Sequence, residues 1–377
     1  MSRRHICYLT GTRADFGLMA STLQRIEQHP ALDLSLIVTG MHLSEQFGFT
    51  AREVEAAGFD IQSRIPCDMR HVDGAQMAVN IAVVLQGCVQ SLMVRRPDLL
   101  LVLGDRGEML AATLAAVHLG IPVAHVHGGE RSGTIDESVR HAISKLAHIH
   151  LVSTVQARER LIQMGELSEY IHVVGAPGLD GLTALELPDR SSLCCSAGLD
   201  PEGRVALLVF HPVLQEAASA GEQMRVVAQA LRNSGYQVLA LMPNADAGNE
   251  AVREVLESAR AADFVLKTHL PRADFLAWMA CVDVMIGNSS SGIIEAASFG
   301  TPVVNVGSRQ NMRERNANVH DVPIDSHSLG LALRQVSIRD KGPYQNIYGD
   351  GRAADRIAEL LAHVPLSPSM LDKCNAY

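Results

Sequence analysis

The chain has 377 residues, of which 47% are hydrophobic and 4% aromatic, and its formal net charge at pH 7 is −9. This length predicts two domains of ordinary size. Because the charge balance is acidic and no run of Lys and Arg occurs, nucleic acid is excluded as the main partner.

The first half of the chain alternates short apolar runs with segments of helical spacing. Strands are predicted at residues 5–10, 34–39, 59–65, 98–103, 121–126, 149–153 and 172–175. Helices are predicted at residues 18–28, 76–95, 109–119 and 155–164, with a further helix from about 135 past 145. This alternation predicts a parallel, doubly wound α/β sheet.

The pattern restarts after residues 176–204, which are rich in Pro, Gly, Ser and Asp and in which we place the interdomain linker. Strands are then predicted at residues 205–210, 237–242, 264–267, 282–286 and 302–306. Helices are predicted at residues 215–234, 249–260, 272–280, from 293 onward, 328–336 and 352–363. The second half therefore predicts a second sheet of the same kind, and about the last fifteen residues are expected to be frayed.

The amino terminus, the cysteines and the hydropathy pattern predict a soluble, cytoplasmic protein. Residues 1–5 lead directly into a short strand, without the apolar segment of a signal peptide. The seven cysteines lack the paired spacing of metal ligands, which favours reduced thiols that pack in the interior. We also expect that no apolar stretch approaches membrane-spanning length, so no membrane partner is predicted.

The stretch from His125 to Lys145 is unusually dense in charges and glycines for a segment that directly follows a predicted buried strand. Within it, Thr134 and Glu137 have the spacing of a capping box, so a helix is predicted to begin near Ile135. A solvated loop would not need the glycines, and a core element would not tolerate the charges. The stretch is therefore the first candidate for a functional site.

Two charge pairs on this predicted helix allow a second interpretation. Asp136 and Arg140 are one turn apart, as are Glu137 and His141. Such pairs are often exposed ion pairs worth only tenths of a kcal/mol. The functional interpretation is favoured because the helix begins at the C-terminal end of a strand, where open α/β sheets bind ligands.

Two glycine-containing turns have the composition of anion sites. Gly11–Gly17 follows the first strand and includes Arg13, which is equally suited to be the cation of a ligand site or a structural ion-pair partner. Gly287–Gly292 precedes a predicted helix and offers amides and hydroxyls to a phosphate. Glu295 behind it either complements the helix dipole or binds a ribose diol.

Several motifs, taken in order, resemble the UDP-N-acetylglucosamine 2-epimerases, and most closely the hydrolysing type of sialic acid biosynthesis. The resemblance covers residues from about 5 to 360. The motifs that carry it are Gly11–Gly17, Val38–His42, Leu103–Glu108, His127–Glu130, Ser132–His141, Gly287–Gly292 and Gly307–Gln310.

The resemblance implies an α/β fold of glycosyltransferase-B-like architecture, with two Rossmann-like domains and the active site in the interdomain cleft. Residues 1–180 would form the domain that carries the sugar-side catalytic residues, joined by a C-terminal helix at 352–365. Residues 190–350 would form the domain that binds the UDP.

The resemblance also assigns site residues. The catalytic residues would be Asp105, Asp136, His127 and Glu130. Substrate-binding residues would be Arg13, Arg106, His141, His211, Asn244, Asn288, Ser289, Ser290, Ser291, Gly292, Glu295, Arg309 and Arg313. Some family members carry a catalytic glutamate where this chain has His127, so the division of proton transfer between His127 and Glu130 stays open, as does the assignment of base and acid.

The implied reaction converts UDP-N-acetylglucosamine and water to N-acetylmannosamine and UDP, through loss of the C2 proton, elimination of UDP to a glycal and hydration. We expect neither a metal nor another cofactor. We expect a UDP-sugar as ligand and a homo-oligomer, either a dimer or a tetramer. Alternatives are the same chemistry on UDP-N,N′-diacetylbacillosamine, a non-hydrolysing epimerase or a glycosyltransferase of the same fold, and a nucleotide-sugar binder without activity.

Overall fold

The structure is a computed structural model that describes residues 3–70, 73–133, 135–182, 185–336, 342 and 344–377. The chain divides into two compact units. The first unit consists of Met1–Glu130, Asp136–Gly181 and Tyr348–Tyr377, and the second of Arg131–Ile135 and Leu182–Ile347. Each unit is built around one parallel sheet.

The first unit alternates strand and helix along the chain. Its strands are β1 (Arg4–Thr10), β2 (Leu32–Thr39), β3 (Ile61–Ile65), β4 (Leu99–Leu103), β5 (Val123–Val126), β6 (Ile149–Val152) and β7 (Ile171–Val173). Its helices before residue 182 are α1 (Arg13–Gln28), α2 (Ala51–Ala56), α3 (Gly74–Val94), α4 (Gly107–His118), α5 (Ile135–Leu146) and α6 (Val155–Gln163). The strand order is β3-β2-β1-β4-β5-β6-β7, and every pair is parallel.

The second unit repeats this architecture. Its strands are β8 (Val205–Val209), β9 (Gln237–Leu241), β10 (Phe264–Lys267), β11 (Val284–Gly287), β12 (Val303–Val306) and β13 (Val319–Val322). Its helices are α7 (Arg190–Ala197), α8 (Ala220–Asn233), α9 (Asn249–Ala259), α10 (Arg272–Cys281), α11 (Ser290–Ile294) and α12 (Ser326–Val336). The order is β10-β9-β8-β11-β12-β13, again parallel, and α13 (Ala353–His363) belongs to the first unit.

The strand order reverses beside the first strand of each sheet, and this reversal determines where a ligand can bind. In the first unit β1 lies between β2 and β4, and in the second unit β8 lies between β9 and β11. Helices that leave the two neighbouring strands pass to opposite faces, so a crevice opens at the carboxyl ends. The central strands are buried throughout, for example at Leu99–Leu103 and Val205–Val209, as expected for parallel sheets covered on both faces.

The predicted α/β class and its doubly wound parallel sheets are confirmed, but several local predictions are wrong. The division between the two units at Gly181 and Leu182 falls inside the predicted linker at residues 176–204, but this segment also contains α7, which is capped by the Asp189 side chain. Strand β13 was not predicted. It has only four residues, and the middle two, His320 and Asp321, are polar. Helix α8 is preceded by a 3₁₀ turn at Leu214–Ser219. The predicted cap Thr134 lies outside the described residues.

Helix α3 contradicts the expectation that no apolar segment approaches membrane-spanning length. Its 21 residues contain no charged side chain, and by length and composition it could cross a bilayer. One side packs in the first unit's core through Val84, Cys88 and Leu92. Length and composition do not distinguish a membrane-spanning helix from a helix packed in a protein core. The contacts of Val84, Cys88 and Leu92 show that this side of α3 packs in the core of the first unit.

The carboxyl terminus is docked on the first unit, which corrects the prediction of a frayed tail. The Lys373 ammonium group donates hydrogen bonds to the carbonyl oxygens of Ser144 and Ala147 at the end of α5, at 3.0 and 2.6 Å. It also lies 2.6 Å from the Glu166 carboxylate, which contacts the Lys145 ammonium group at 2.7 Å and His150 Nε2 at 2.9 Å. The tail therefore holds the end of the helix whose first turn carries Asp136.

We expect that replacing Glu166 by glutamine lowers the free energy of unfolding by about 3 kcal/mol, because it removes a buried anion that the Lys145 and Lys373 ammonium groups and His150 all contact. Burial opposes the charged form, but hydrogen bonds from His150, Lys145 and Lys373 outweigh it and lower the pKa of Glu166 to about 2. This pKa lies below the ordinary value of 4.5, so the stabilisation is complete above about pH 4.5 and is lost as the pH falls toward 2.

Urea unfolding at pH 7 and between pH 5 and 3 measures both effects. The matched control is Glu222→Gln, which removes an exposed pair with Arg225 and should cost less than about 0.5 kcal/mol. An unfolding midpoint for Glu166→Gln equal to that of the control would contradict the proposed role of the buried charge cluster.

Candidate functional site

The first half of the candidate site lies at the carboxyl edge of the first unit's sheet. Asp105 follows β4 after Gly104, the segment His127–Glu130 follows β5, and Ser153 follows β6. Since parallel strands end at the same edge, their following residues are brought together there.

Arg140 on α5 connects two of these segments. It is 1% exposed, its Nη2 donates to Asp105 Oδ2, and its Nη1 donates to the Glu130 carbonyl oxygen at 3.1 Å. The interpretation of Asp136 and Arg140 as an exposed ion pair is therefore wrong, because the arginine is buried against Asp105. The second predicted pair is present, with His141 Nε2 3.5 Å from Glu137 Oε1.

His127 and Glu130 form a close buried pair. His127 Nδ1 lies 2.5 Å from Glu130 Oε1, and the two residues are 7% and 3% exposed. The backbone of His127 has φ +63°, a left-handed conformation that costs a residue with a Cβ free energy and is often found at functional sites. Ser153, which we did not predict, places its Oγ 2.7 Å from the same carboxylate oxygen.

His125 lies beneath both loops. Its Nε2 is 2.7 Å from the Gly104 carbonyl oxygen, and its Nδ1 is 3.1 Å from Ser144 Oγ. Complete burial lowers the pKa of His125 to about 3, so the ring is neutral at pH 7 and donates from Nε2 to the carbonyl. A Cβ on Gly128 would lie 3.0 Å from both His125 Nδ1 and Ser144 Oγ. The neutral ring thus packs against the loops that carry Asp105 and His127.

The turn after β1 does not present its first amides to a ligand, which corrects the prediction of an anion-facing loop. The Asp15 carboxylate accepts hydrogen bonds from the amides of Gly11 and Thr12, at 3.1 and 2.7 Å, and Thr12 caps α1 in return. A carboxylate of the protein therefore occupies the place expected for an anion. Arg13 donates from Nε to Glu53 Oε2 at 3.0 Å, and its contact with ligand stays a prediction.

Glu108 is a second acid near this edge that the sequence analysis did not single out. Its Oε2 lies 3.4 Å from Arg106 Nε, and a Cβ on either Gly11 or Gly40 would lie within 3.4 Å of its Oε1. The two glycines leave space for the carboxylate between the ends of β1 and β2. The sequence signal that could have identified it was its place on the first turn of α4.

In the second unit, the turn after β11 meets the end of β8 closely. A Cβ on Gly287, whose φ is +134°, would lie 1.9 Å from the Val209 carbonyl oxygen, so this position requires glycine. Asn288 accepts from the His211 amide and donates to the His211 carbonyl oxygen, each at 2.8 Å. These two hydrogen bonds hold the two loops together and leave one N–H and one lone pair of the Asn288 amide, so its ligand contact stays a prediction.

The His211 ring is oriented by a backbone donor. Its Nδ1 accepts a hydrogen bond from the Asn244 amide at 3.2 Å, so the proton of the neutral ring is on Nε2. The ring therefore offers an Nε2–H donor, and its contact with a phosphate oxygen stays a prediction. Asn244 contributes its backbone amide to this contact, and the contact of its side chain with substrate stays a prediction.

Helix α11 begins at Ser290, three residues before the predicted start. Ser289 is its N-cap and accepts from the Ser291 amide at 3.4 Å, and the hydroxyl groups of these two serines are 2.7 Å apart. With Gly292 in the first turn, hydroxyl and amide groups are concentrated at this helix start. Such a helix start favours an anion.

Behind this helix start lies a fully buried acid. Glu295 is 0% exposed, and its Oε1 pairs with Arg272 Nη2. Its Oε2 is buried and has no hydrogen-bond partner among the residues that the structure describes. An unpaired buried carboxylate oxygen is costly, so it indicates a ligand donor. Nearby, Arg309 Nη1 donates to the Asn288 carbonyl oxygen at 3.1 Å, and Arg313 Nε donates to Gln310 Oε1 at 2.6 Å.

Comparisons with known proteins agree on one family. The model of the family described as UDP-N-acetylglucosamine 2-epimerase matches residues 24–362. A hydrolysing UDP-N,N′-diacetylbacillosamine 2-epimerase of Legionella pneumophila is 48% identical over 375 residues, 99% of this chain and 100% of its own. A UDP-N-acetylglucosamine 2-epimerase of Neisseria meningitidis is 34% identical over 95% of each chain.

The fold agrees as well. The crystal structure of UDP-GlcNAc 2-epimerase from Neisseria meningitidis bound to UDP-GlcNAc superposes with a TM-score of 0.78 at 17% identity, over 95% of this chain and 99% of that one. At this identity the similarity bears on the fold alone. It confirms the glycosyltransferase-B-like class with two Rossmann-like domains.

Proposed function

This chain belongs to the UDP-N-acetylglucosamine 2-epimerase family, and we propose that it is a hydrolysing 2-epimerase of UDP-N,N′-diacetylbacillosamine. The observation that carries the proposal is the 48% identity, end to end, to the Legionella pneumophila enzyme of that name. UDP-N-acetylglucosamine, which the sequence analysis placed first, becomes the second candidate substrate. It is supported by the Neisseria meningitidis relative at 34% identity.

The reaction that we propose has two parts. A base removes the C2 proton of the sugar, the electron pair of that bond forms the C1–C2 double bond, and the C1–oxygen bond breaks to release UDP. Water then adds across the double bond of the glycal, with hydroxide at C1 and a solvent-derived proton on the face of C2 opposite to the one that lost its proton. The elimination needs a positioned base for the C2 proton. It also needs hydrogen-bond donors for the diphosphate of the departing UDP.

We assign the sugar to the carboxyl edge of the first unit. Asp105, held by the buried Arg140, and the pair of His127 with Glu130 are the charged groups that meet there. Asp136 stands on the first turn of α5, one turn before Arg140 on the same helix face. These groups supply the carboxylates and the imidazole that two proton transfers at C2 require.

We assign the nucleotide to the second unit. The start of α11 supplies hydroxyl and amide donors, and His211 adds a ring N–H for the diphosphate. Glu295 supplies a buried carboxylate oxygen for the ribose hydroxyls, and Arg309 and Arg313 supply positive charge. The arrangement matches an anionic ligand with a polar sugar behind it.

A competition assay tests the substrate. The purified protein receives equal concentrations of UDP-N,N′-diacetylbacillosamine and UDP-N-acetylglucosamine in deuterated water, and NMR identifies the products. We expect kcat/KM to be at least about 10-fold higher for the diacetylated sugar, since one extra well-packed group is worth about 1–3 kcal/mol. Free sugar and UDP should appear in equal amounts, with deuterium at C2.

Three outcomes would change the assignment. A higher kcat/KM for UDP-N-acetylglucosamine would restore it as the substrate. A nucleotide sugar inverted at C2, without free sugar, would show a non-hydrolysing epimerase. Binding of UDP without turnover of either compound would support the third alternative, a binder without activity.

We propose that two copies of the chain pair through the exposed side of α3. Val79 and Met93 on this side are 53% and 69% exposed, and the helix contains no charge that would oppose its own copy. Such an uncharged exposed face is typical of a protein interface rather than of a solvated surface. A symmetric pair would bring the same face of both helices together.

Light scattering after gel filtration tests this pairing. We expect the wild-type protein at twice the chain mass of 40.6 kDa, and the Val79→Glu variant at the single mass. The control is Val155→Glu, which places the same charge at a valine that is 60% exposed at the start of α6. A wild-type protein at the single mass would contradict the proposal, and so would a dimer of Val79→Glu.

We also propose that the enzyme works in the cytoplasm. All seven cysteines are free thiols, which fits a reducing compartment. Fractionation of the producing cells with detection of the protein by antibody tests this proposal, and recovery from an extracytoplasmic fraction would contradict it.

A further inference from the structure

Ser153, the residue that follows β6, takes part in a three-membered contact with the candidate catalytic pair. Its Oγ is 2.7 Å from Glu130 Oε1 and 2.9 Å from His127 Nδ1, while those two atoms are 2.5 Å apart. The three residues are between 3% and 7% exposed. Water therefore competes little for these hydrogen bonds, and their geometry determines which nitrogen of the His127 ring carries the proton.

The chemistry of the three groups determines the tautomer of His127. An ionised carboxylate accepts hydrogen bonds only, so the hydrogen between Glu130 Oε1 and His127 Nδ1 belongs to the ring nitrogen. The Ser153 hydroxyl donates its hydrogen to the same carboxylate. With Nδ1 acting as a donor, the basic lone pair of the neutral ring is on Nε2.

The loop that carries the pair is held by α6. A Cβ on Gly129, whose φ is +72°, would lie 2.3 Å from the Ala157 carbonyl oxygen, so the loop packs directly on the helix. Arg160 Nη1 donates to the Gly129 carbonyl oxygen at 2.7 Å. These contacts hold the loop two residues after His127, whose own backbone is in the left-handed region with φ +63°.

Asp105, a further acid at this edge, has a cationic partner instead. Asp105 receives a hydrogen bond from the buried guanidinium group of Arg140, a permanent cation that stabilises the charged form of a carboxylate. Such a carboxylate is suited to bind and orient hydroxyl groups of the sugar rather than to take up a proton. His127 contacts an anion, the Glu130 carboxylate, which stabilises the imidazolium formed when the ring takes up a proton.

We propose that His127 is the catalytic base of the first step, acting through Nε2, and that Ser153 is the positioning residue of its carboxylate partner. The proposal rests on the proposed function. Nε2 takes the C2 proton, the C–H electron pair forms the C1–C2 double bond, and the C1–oxygen pair leaves with UDP. The resulting imidazolium is neutralised by Glu130 and later releases its proton to solvent, while a different acid protonates the opposite face of C2.

The decisive experiment compares wild type with Ser153→Ala in the pH dependence of kcat on the preferred UDP-sugar. Loss of the serine hydrogen bond makes the Glu130 carboxylate a stronger partner of the imidazolium. The acidic limb of the profile should therefore move upward by about 0.5 pH. In contrast, kcat should fall by about 10-fold, because Glu130 without the serine hydrogen bond no longer holds the ring in position for the C2 proton. A primary isotope effect with substrate deuterated at C2 should increase, because the first proton transfer becomes slower.

Three further variants separate this role from a structural one. Ser35→Ala is the matched control, because Ser35 is a fully buried serine that also contacts a histidine, His5, but lies on β2 away from this edge. It should leave the pH profile and the isotope effect unchanged. Ser153→Thr, which keeps a hydroxyl, should recover most of the lost kcat. His127→Gln should lower kcat by about 10³-fold and keep the affinity for UDP.

Two results, each obtained with an active wild-type enzyme, would overturn this assignment and leave the proposed function intact. One is a pH profile of Ser153→Ala that equals the wild-type profile. The other is more than about a tenth of the wild-type activity in His127→Gln. Failure of the wild-type enzyme to release UDP from either sugar nucleotide overturns both.

Discussion

Replacing Asp105 by asparagine is expected to lower kcat by about 10³-fold while the dissociation constant of UDP stays within about two-fold. Asparagine keeps the shape of the side chain but removes the charge that pairs with Arg140, which is 1% exposed. The buried cation then lacks its anion, and the sugar loses a carboxylate at the edge where C2 reacts. UDP release under saturating substrate measures kcat, and titration calorimetry measures UDP affinity.

The control for this variant is Asp33→Asn, which removes a carboxylate 3.1 Å from Arg95 in the same unit. Its activity should equal that of the wild type. We expect Asp136→Asn to behave like Asp105→Asn, because its carboxylate is assigned to the sugar and not to the nucleotide. A parallel loss of UDP binding in either variant would place these acids on the nucleotide and contradict the assignment.

The second large effect is expected on binding. Glu295→Gln should weaken the affinity for UDP by about 100-fold, because hydrogen bonds to a charged acceptor contribute about 1.5–3 kcal/mol each. The wild-type carboxylate is fully buried, uses one oxygen for Arg272 and has its second oxygen unpaired within the described part of the chain. The variant replaces an anionic oxygen with an amide that cannot accept at both positions.

A ligand without the 2′-hydroxyl separates ribose recognition from a general loss of structure. Wild type should bind UDP at least about 10-fold more tightly than 2′-deoxy-UDP, whereas Glu295→Gln should bind the two alike. The control is Glu254→Gln on α9, where the carboxylate is exposed. Equal discrimination by wild type and Glu295→Gln would favour the alternative from the sequence, that this acid only complements the dipole of α11.

The architecture could be predicted largely from local patterns. Apolar runs of strand length alternate with helical spacing, and a buried parallel strand such as β4 consists entirely of Leu and Val. Because the residues after parallel strands share one edge, the sequence also located Asp105 and His127 at a common edge. Short polar elements such as β13 could not be predicted in this way, because four residues are too few to show a hydrophobic periodicity.

The partners of the site residues required the tertiary structure. Spacing along a helix placed Arg140 one turn from Asp136, but packing buries it against Asp105, 35 residues away in the chain. In the same way, the Asp15 carboxylate occupies the amides that the glycine turn offered to a ligand, and Ser153 joins the pair of His127 and Glu130.

The amino-acid sequence by itself thus determined the two parallel sheets, the edges at which chemistry can occur and the family. The tertiary structure decided which charges are paired, which amides are already occupied and where the carboxyl terminus docks. The physical reason is range. Periodicity, capping and turn preferences act over three or four residues, whereas the choice between alternative ion-pair partners depends on burial and on distances that only the packed chain defines.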